Sequence, residues 1–371
     1  MSKYSTMPFC SAITNHCCIS VKQNYKPCCR YSDNSSSPYK VENLSFSDYK
    51  KTEFFLELEK ELQQGWPTGC HRCQKEESNG LTSLRQRYNQ RMSGKKDRLE
   101  FLELNMSNHC NLTCKMCDNF SSSRWQTVLD TNPKLLVYDF EKGIVKGKDF
   151  SIKNIFKDLD LDFLHTVKYL GGEPFITPEL TDLIEFFEQE NIIERINFRC
   201  NTNCTFYPKK NIDRLLQFKS MRIDLSVDGV DDLCNFVRTG EHWNKVSSVI
   251  DQWLDLAAAH NNITLVLHHT SQALNIHQFD MIKEFAEQRQ INFSYSILSH
   301  PRYLSFEVLP KEYIHHIIDK KMLRDAKMID ILKNTAYDDD SNKRFKSYIE
   351  DTDRILKTDI NEVIPDLWNR L

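Results

Sequence analysis

Three cysteines lie within eight positions of the sequence, at Cys110, Cys114 and Cys117, in the stretch NMSNHCNLTCKMCDN. A disulfide needs two thiols, and a tetrahedral zinc site needs four ligands. Three thiolates on one short loop can instead bind three irons of a [4Fe–4S] cubane and leave the fourth iron open to a small chelating molecule. Taken alone, this spacing also allows zinc, although His109 is a geometrically poor fourth ligand beside Cys110.

The composition is typical of a soluble globular enzyme, with 40% apolar and 27% charged residues in a chain of 371. A net charge of -3 gives no electrostatic reason to expect nucleic acid or an anionic membrane as a partner. No apolar run approaches the roughly 18 residues that a membrane span needs, and the first residues lack the apolar stretch of a signal peptide. We therefore expect a cytoplasmic protein whose thiols stay reduced.

The cysteines are concentrated towards the N-terminus. Ten of the thirteen lie within residues 1–117, whereas random use in a core would spread them along the chain. In a reducing compartment they are not expected to form a disulfide framework, so they are either buried thiols or metal ligands. Their concentration predicts a metal-rich N-terminal third.

Six segments have the residue pattern of strands, and helical patterns such as 177–190 alternate with them. The predicted strands are residues 98–107, 163–170, 195–203, 221–229, 263–270 and 291–298. This alternation predicts an α/β fold of parallel β/α units. Six units are too few to complete an eight-fold barrel, so we expect a partial, open (β/α)6 barrel. The loops after the carboxyl ends of barrel strands carry the chemistry, and the cysteine loop occupies such a position.

A diglycine motif, GGEP, follows the second predicted strand. Gly171 and Gly172 allow the backbone to turn and to approach a ligand closely, because neither has a Cβ. Glu173 offers a carboxylate, and Pro174 favours the start of the next helix. The motif by itself is equally compatible with a plain strand-to-helix turn.

The order of these motifs resembles the radical S-adenosylmethionine (radical SAM) superfamily, with Cys-x3-Cys-x2-Cys after the first strand and GGEP after the second. The resemblance covers about residues 99–300. It implies that Cys110, Cys114 and Cys117 bind a [4Fe–4S] cluster whose open iron is chelated by SAM. It also implies reductive cleavage of SAM to a 5′-deoxyadenosyl radical, which abstracts hydrogen from a substrate, and an electron donor such as a flavodoxin or ferredoxin.

The resemblance further implies SAM contacts at seven positions, which are Met116, Gly171, Gly172, Glu173, Asn203, Ser226 and Asp228. Met116 precedes the third cysteine, at a position that often lies against the adenine and is frequently aromatic in the family. A soft, apolar methionine can serve there. Glu173 is expected near the amino group of SAM.

Three of these positions leave alternatives open. Asn203 falls where the family often has an Asn-Gly turn, and Cys204 replaces that glycine. Ser226 and Asp228 follow the fourth strand, where ribose contacts often occur, but each could equally be a polar residue of a turn. Arg238 is either a further SAM or substrate contact or part of a surface ion pair.

A second group of cysteines precedes the predicted barrel. Cys70 and Cys73 form a Cys-x2-Cys pair that opens a predicted helix, and Cys10 with Cys28 or Cys29 would complete four thiolates. This spacing suits zinc and an iron–sulfur cluster equally. Residues 11–30 have the pattern of a hairpin that turns at Gln23-Asn24, and in it Cys17 and Cys18 are expected to be buried thiols rather than ligands.

The second group resembles the twitch module, a shortened SPASM-like domain that holds one auxiliary [4Fe–4S] cluster beside a radical SAM barrel. The resemblance implies that Cys10, Cys28, Cys70 and Cys73 are its ligands. We prefer Cys28 to Cys29 because alternate residues of a strand point to opposite faces. Four thiolates leave no iron open, which favours electron transfer over substrate binding.

The predicted domains are an auxiliary module at 1–98, the barrel at 99–300 and a helical extension at 301–371, in which the acidic stretch YDDDSNKR (337–344) is expected to be a solvated loop. Because enzymes with the twitch module commonly modify peptides or protein side chains, that is the expected substrate class. Two alternatives stay open, which are the same chemistry on a sugar, nucleotide or other small metabolite, and a non-catalytic zinc-binding or scaffold protein.

Overall fold

The computed structural model of the protein describes residues 9–32, 39–78, 80, 82–96, 98–140, 152–157 and 159–371. The chain divides into two compact units. The first unit comprises Met1–Ser107, Gly147–Cys200 and Lys210–Met221, and the second comprises Asn108–Lys146, Asn201–Lys209 and Arg222–Leu371.

The described residues contain ten strands, which are β1 His16–Ile19, β2 Tyr25–Lys26, β3 Phe101–Asn105, β4 Thr113–Cys114, β5 Thr166–Leu170, β6 Asn197–Thr202, β7 Ser220–Ser226, β8 Arg238–Thr239, β9 Ile263–Ser271 and β10 Asn292–Ile297.

Seventeen α-helices lie in the same residues. They are α1 Ser11–Asn15, α2 Phe46–Tyr49, α3 Glu53–Gln64, α4 His71–Ser78, α5 Leu84–Arg91, α6 Ser123–Thr131, α7 Ile152–Phe156, α8 Pro178–Gln189, α9 Ile212–Leu215, α10 Asp231–Val237, α11 Trp243–Ala259, α12 Phe279–Gln288, α13 Lys311–Asp319, α14 Ala326–Asn334, α15 Asp339–Leu356, α16 Ile360–Val363 and α17 Pro365–Trp368. No helix within the described ranges has both the length and the apolar character needed to cross a membrane.

The sheet of the first unit has the strand order β2–β1–β3–β5–β6. The strands β1, β3, β5 and β6 pair in parallel, and β2 pairs antiparallel with β1. In this register Leu102 lies opposite Val167 and Val167 opposite Phe198, and all three are fully buried. The neighbouring positions on the other face form a charged row, Glu103–Lys168–Arg199. One face of the sheet is therefore an apolar core and the other is polar.

In the second unit β9 pairs in parallel with β10 and lies beside β7, and the short strands β4 and β8 pair antiparallel. Its apolar core gathers side chains from helices α6, α10 and α13 to α17, including Trp125, Phe236, Tyr313 and Tyr348. The C-terminal helices are thus built into the core of this unit.

All six predicted barrel strands are present, as β3, β5, β6, β7, β9 and β10. The predicted helix over 177–190 is also confirmed, because α8 begins at Pro178 directly after Thr177. The fold is a mixed α/β fold with a mostly parallel sheet. The partial (β/α)6 barrel and the boundaries after residues 98 and 300 stay predictions, and residues 1–8 of the expected auxiliary module lie outside the described residues.

Three local expectations were wrong. The predicted hairpin begins with a helix, α1, so only β1 and β2 pair across the turn at Gln23. Strand β2 ends at Lys26, and strand alternation therefore cannot decide between Cys28 and Cys29. The acidic stretch is helical, since α15 begins at Asp339 and the Asp338 side chain accepts the Ser341 amide. Acidic residues stabilise a helix N-terminus, which explains this difference.

Candidate functional site

The loop Cys110–Cys117 belongs to the second unit, and its thiols lie in poorly hydrated surroundings. Cys110 and Cys114 are buried and Cys117 is partly buried, and all three pack in one cluster with Leu112 and Met116. The Cys117 amide donates to the Cys114 carbonyl at 2.9 Å. A hydrogen bond with Cys117, together with burial, raises the pKa of the Cys114 thiol well above its ordinary value.

Two neighbouring elements hold the backbone of this loop. The Trp125 indole N–H donates to the Cys114 carbonyl at 2.9 Å, and the Ser122 hydroxyl donates to the Leu112 carbonyl at 2.5 Å, both from the start of α6. Cys114 itself lies in β4, where it pairs with Arg238 of β8. The peptide groups around the cysteines are thus bonded to protein, which holds the backbone of the loop in place.

Three cysteine thiols on one loop match the number of protein ligands of a cubane with one open iron. Across the described residues, no three side chains of cysteine, histidine, aspartate or glutamate converge on a point that one metal ion could occupy. A cubane takes one protein thiolate at each iron, so its ligands are spread around the cluster rather than gathered on one centre. A closed zinc site needs four ligands around one ion.

Asn203 lies against the cysteine loop. Its side-chain amide donates to Asn111 Oδ1 at 3.0 Å and lies 4.0 Å from Cys110 Sγ. Its oxygen accepts from the Thr205 amide and hydroxyl at 2.9 and 2.7 Å, which fixes the orientation of the amide. Cys204 has a φ of +60°, the left-handed conformation that favours glycine. Cys204 therefore has the backbone conformation that a glycine would adopt at this turn.

Asp228 and Arg238 form a buried ion pair beside this loop. Asp228 Oδ2 accepts from Arg238 at 2.6 Å, and Oδ1 accepts from the Thr270 amide at 2.7 Å. Burial would lower the pKa of Arg238, but negative charge on nearby Cys114, Asp228 and Glu241 raises that pKa well above its ordinary value. The ion pair of Arg238 is thus buried and does not lie on the surface. Because both oxygens of Asp228 already bond to protein, the structure favours a role in positioning Arg238.

A second carboxylate completes the surroundings of Arg238. Glu241 lies 3.3 Å from the guanidinium, and burial raises the pKa of Glu241 to about 7.

Ser226 is the last residue of β7 and is partly buried. Of the residues predicted to contact SAM, Met116, Asn203, Ser226 and Asp228 therefore belong to the second unit.

The GGEP motif belongs to the first unit, and its glycines are required by the backbone. Gly171 has a φ of +114°, and a Cβ there would lie 2.2 Å from the Ser107 carbonyl oxygen and 2.7 Å from Asn105 Oδ1. Gly172 also has a positive φ, of +47°. Glu173 is fully buried, and its Oε1 accepts from the Phe175 amide at 3.3 Å. The motif thus packs tightly against the end of β3.

Asn105 is a candidate that the sequence patterns did not single out. Its Oδ1 is buried and has no hydrogen-bond partner within the described parts of the chain, although it lies beside Gly171. A buried acceptor without a partner is costly unless a ligand or water satisfies it. This atom fits an amino or hydroxyl donor of a bound SAM. Its position at the carboxyl end of β3, the first predicted barrel strand, was the signal that could have identified it.

The four cysteines predicted for the auxiliary site come together in the first unit. They line one pocket, whose other walls are mostly apolar and include Pro27, Leu62, Leu84 and Tyr88, and the four are Cys10, Cys28, Cys70 and Cys73. Burial and nearby thiols raise the pKa of Cys10 to about 11 and of Cys70 to about 12. Thiolates here would need a compensating cation, which the irons of a cluster would supply.

Cys28 and Cys29 differ in their surroundings. Burial and the thiols of Cys29, Cys10 and Cys70 raise the pKa of Cys28 well above its ordinary value. Cys29 does not line the pocket; its Sγ lies 3.9 Å from the Tyr88 hydroxyl. Cys17 and Cys18 are buried in β1, as expected. Cys28 thus lines the pocket and Cys29 does not, but the assignment of Cys28 as a ligand stays a prediction, and the strand argument behind it does not hold.

Residues 104–279 match the family model described as the Radical SAM superfamily. The chain carries a domain of this enzyme superfamily. The radical SAM domain contains the cysteine loop and every predicted SAM contact, whereas the four cysteines of the pocket lie outside it. No curated protein sequence matches the chain.

Among solved structures, the chain is similar to native anSMEcpe with bound AdoMet, at 17% identity and a TM-score of 0.39, over 60% of this chain and 59% of that one. It is also similar to Streptococcus suis SuiB bound to precursor peptide SuiA, at 16% identity and a TM-score of 0.35, over 70% of this chain and 47% of that one. The chain thus spans less than two thirds of the length of either structure.

Proposed function

We propose that the protein is a radical SAM enzyme in which Cys110, Cys114 and Cys117 hold a [4Fe–4S] cluster and the open iron binds SAM. The observation that supports this most directly is the position of three neighbouring, largely buried thiols on one loop inside the matched domain. When bound, the cluster and SAM supply a 5′-deoxyadenosyl radical that abstracts a hydrogen atom from a carbon of the substrate. We propose a flavodoxin or ferredoxin as the electron donor.

The protein residues then bind and orient the cofactor and the substrate, and they exclude water from the site. Asn203 holds an amide near Cys110 and would adjust the electron density on that sulfur, since hydrogen bonds to ligand sulfurs tune cluster potentials. Arg238, fixed between Asp228 and Glu241, would place a positive charge beside Cys114. Met116 would cover the loop with a polarisable apolar side chain.

In the first unit, we propose that Gly171 and Gly172 let the backbone approach SAM and that Glu173 or Asn105 accepts a hydrogen bond from its amino group. The buried Oδ1 of Asn105, which has no hydrogen-bond partner among the described residues, supports this proposal. We also propose that Ser226 and Asp228 contribute to SAM binding. Asp228 would act mainly by positioning Arg238.

We also propose an auxiliary [4Fe–4S] cluster on Cys10, Cys28, Cys70 and Cys73, in a twitch-like module. Their gathering from three separate chain segments into one apolar pocket supports this assignment. Because all four irons would have a cysteine ligand, we infer a role in electron transfer rather than in binding substrate. A peptide or protein side chain is the proposed substrate class, from the resemblance of about residues 5–90 to that module.

An iron and sulfide count with Mössbauer spectra on anaerobically reconstituted protein tests both clusters. We expect about eight irons per chain, and about four in a variant with Cys110, Cys114 and Cys117 all changed to alanine. About four in the wild type, lost in that variant, would remove the auxiliary cluster from the proposal. Zinc without iron would overturn the radical mechanism and favour the zinc-binding alternative.

The substrate class is tested separately. Formation of 5′-deoxyadenosine should require Cys110, Cys114, Cys117 and a low-potential reductant. We would then supply small peptides, sugars and nucleotides with SAM and look for a mass change in each by mass spectrometry. A product only from a sugar or nucleotide would replace the peptide by a small metabolite and leave the chemistry unchanged.

A further inference from the structure

Lys115 lies between two of the proposed ligands, yet its side chain is completely buried. A lysine in a loop is normally exposed to solvent. Here its ammonium donates to the Asp353 carboxylate at 2.9 Å and to two hydroxyls, Thr358 Oγ1 at 3.2 Å and Thr352 Oγ1 at 3.3 Å. An ammonium has three donors, so all of them are used. The ammonium also lies 4.3 Å from the centre of the Phe236 ring.

The backbone of Lys115 is held as firmly as its side chain. Its amide donates to the Val237 carbonyl at 2.8 Å, and its carbonyl accepts from the Tyr348 hydroxyl at 2.7 Å. Tyr348 is fully buried in α15, where it packs against the rings of Tyr138 and Tyr303. Helix α15 therefore makes three bonds to Lys115, one from Tyr348 to its carbonyl and two from its ammonium to Asp353 and Thr352.

Asp353 is itself fixed at the C-terminal end of α15. Besides Lys115, its carboxylate accepts from Thr358 Oγ1 at 2.6 Å and from the Ile360 amide at 2.9 Å. Its carbonyl accepts from the Thr358 amide at 3.1 Å, across a turn in which Lys357 is left-handed. A partly buried carboxylate with this many partners is held in place and offers the lysine one position only.

We propose that α15 and the turn after it act as a clamp on the cysteine loop, with Lys115 as the positioning residue. The Lys115–Asp353 ion pair and the Tyr348–Lys115 hydrogen bond hold the loop, before any cluster is bound, in the conformation that directs Cys114 and Cys117 towards it. The inference rests on the proposed function in one respect, the assignment of these cysteines as ligands. It makes the C-terminal segment part of the cluster site rather than an accessory.

The first test follows amide hydrogen exchange of residues 110–119 in cluster-free protein. We expect exchange about ten-fold faster in Lys115→Met than in the wild type, because the loop loses an anchor and opens locally, while exchange in β9 stays unchanged. Lys134→Met is the matched control, since Lys134 pairs with Asp351 of the same helix at 3.1 Å but is half exposed. Loop exchange in Lys115→Met equal to that in Lys134→Met would overturn the clamp.

The second test asks whether the clamp serves the cluster. In reconstituted protein, Lys115→Met should lose iron to a chelator about ten-fold faster than the wild type, and the EPR signal of the reduced cluster bound by this loop should split into several species, as expected for a loop with more than one conformation. The Lys134→Met variant should behave like the wild type. Faster loop exchange with unchanged iron loss and an unchanged EPR signal would overturn the proposal.

The outcomes separate this inference from the proposed function. A wild type without iron would overturn the proposed function, whereas the exchange experiment on cluster-free protein would still show whether α15 holds the loop. If Lys115→Met also speeds exchange in β9, the variant has lost global stability, and Asp353→Asn replaces it because asparagine can still accept from the Ile360 amide. Unchanged loop exchange in Asp353→Asn would then count against the clamp.

Discussion

The two groups of cysteines are built in opposite ways. The loop Cys110–Cys117 lies in one short segment of the second unit, and spacing along the chain brings its thiols together. The pocket of Cys10, Cys28, Cys70 and Cys73 is assembled in the first unit from residues up to 63 positions apart. A local motif can be recognised from sequence with little ambiguity, whereas an assembled site depends on the packing of separate elements. The two sites should therefore respond differently to substitution.

The largest expected effect is at the loop. Changing Cys110, Cys114 and Cys117 together to alanine should abolish 5′-deoxyadenosine formation, because no ligand of the SAM-binding cluster is left. Activity would be measured by chromatography of the products after reduction in the presence of SAM. Changing the buried cysteines Cys17 and Cys18 to alanine is the control, and deoxyadenosine formation should persist in it. If both variants lost deoxyadenosine formation equally, the loss would come from general damage to the protein and not from removal of the cluster ligands.

The next effect separates Cys28 from Cys29 at the assembled site. Cys28→Ala should lower the iron content by about four per chain, because Cys28 lines the pocket with the other three thiols. Cys29→Ala should leave the iron content unchanged, since its sulfur lies near the Tyr88 hydroxyl outside the pocket wall. Both would be measured by iron and sulfide analysis of reconstituted protein. The reverse order would assign the ligand to Cys29.

A buried carboxylate near the assembled site gives a pH-dependent prediction. Burial would raise the pKa of Glu103, but His16, whose Nε2 lies 3.5 Å from the carboxylate, and the charge of Lys168 outweigh burial and lower that pKa to about 2. The carboxylate therefore stabilises the folded protein above its unfolded-state pKa of about 4.3, and this stability is lost as the pH falls towards 2. Glu103→Gln should cost on the order of 3 kcal/mol at neutral pH.

Urea unfolding between neutral pH and pH 2 would measure this effect. The difference between the wild type and Glu103→Gln should shrink as the pH falls through the acid range, because the wild-type carboxylate becomes protonated. Glu185→Gln is a suitable control, since Glu185 is half exposed and pairs with Arg214 on the surface. A difference that does not change with pH would mean that packing, not charge, accounts for the stability.

The smallest effect concerns the backbone beside Cys70. A Cβ at Gly69 would lie 2.4 Å from the ring of Tyr31, so Gly69→Ala must displace that ring and should cost about 1–3 kcal/mol. We expect auxiliary iron to be lost before the iron of the loop. Gly65→Ala is the matched control because no atom of the described residues lies within 4 Å of its Cβ position. Thermal unfolding and iron content would be measured on both variants, and equal behaviour would contradict the tight packing at Gly69.

The sequence by itself determined the parts that depend on short-range patterns. Six strands and the helix after GGEP were predictable because hydrophobic periodicity and helix-start residues act locally. The loop Cys110–Cys117 and the diglycine turn were predictable for the same reason, and the positive φ of Gly171 accounts for the glycine there. The start of α15 at Asp339 was missed because a run of acidic residues resembles a solvated loop until its N-terminal cap, Asp338, is recognised.

Only the tertiary structure decided which distant side chains meet. It placed Cys28 rather than Cys29 in the pocket, although β2 ends before either residue. It also brought Lys115 to Asp353 across 238 positions of sequence. Burial of a charge requires a partner, but the sequence does not say which of many acidic residues supplies it, because the choice depends on how whole helices pack.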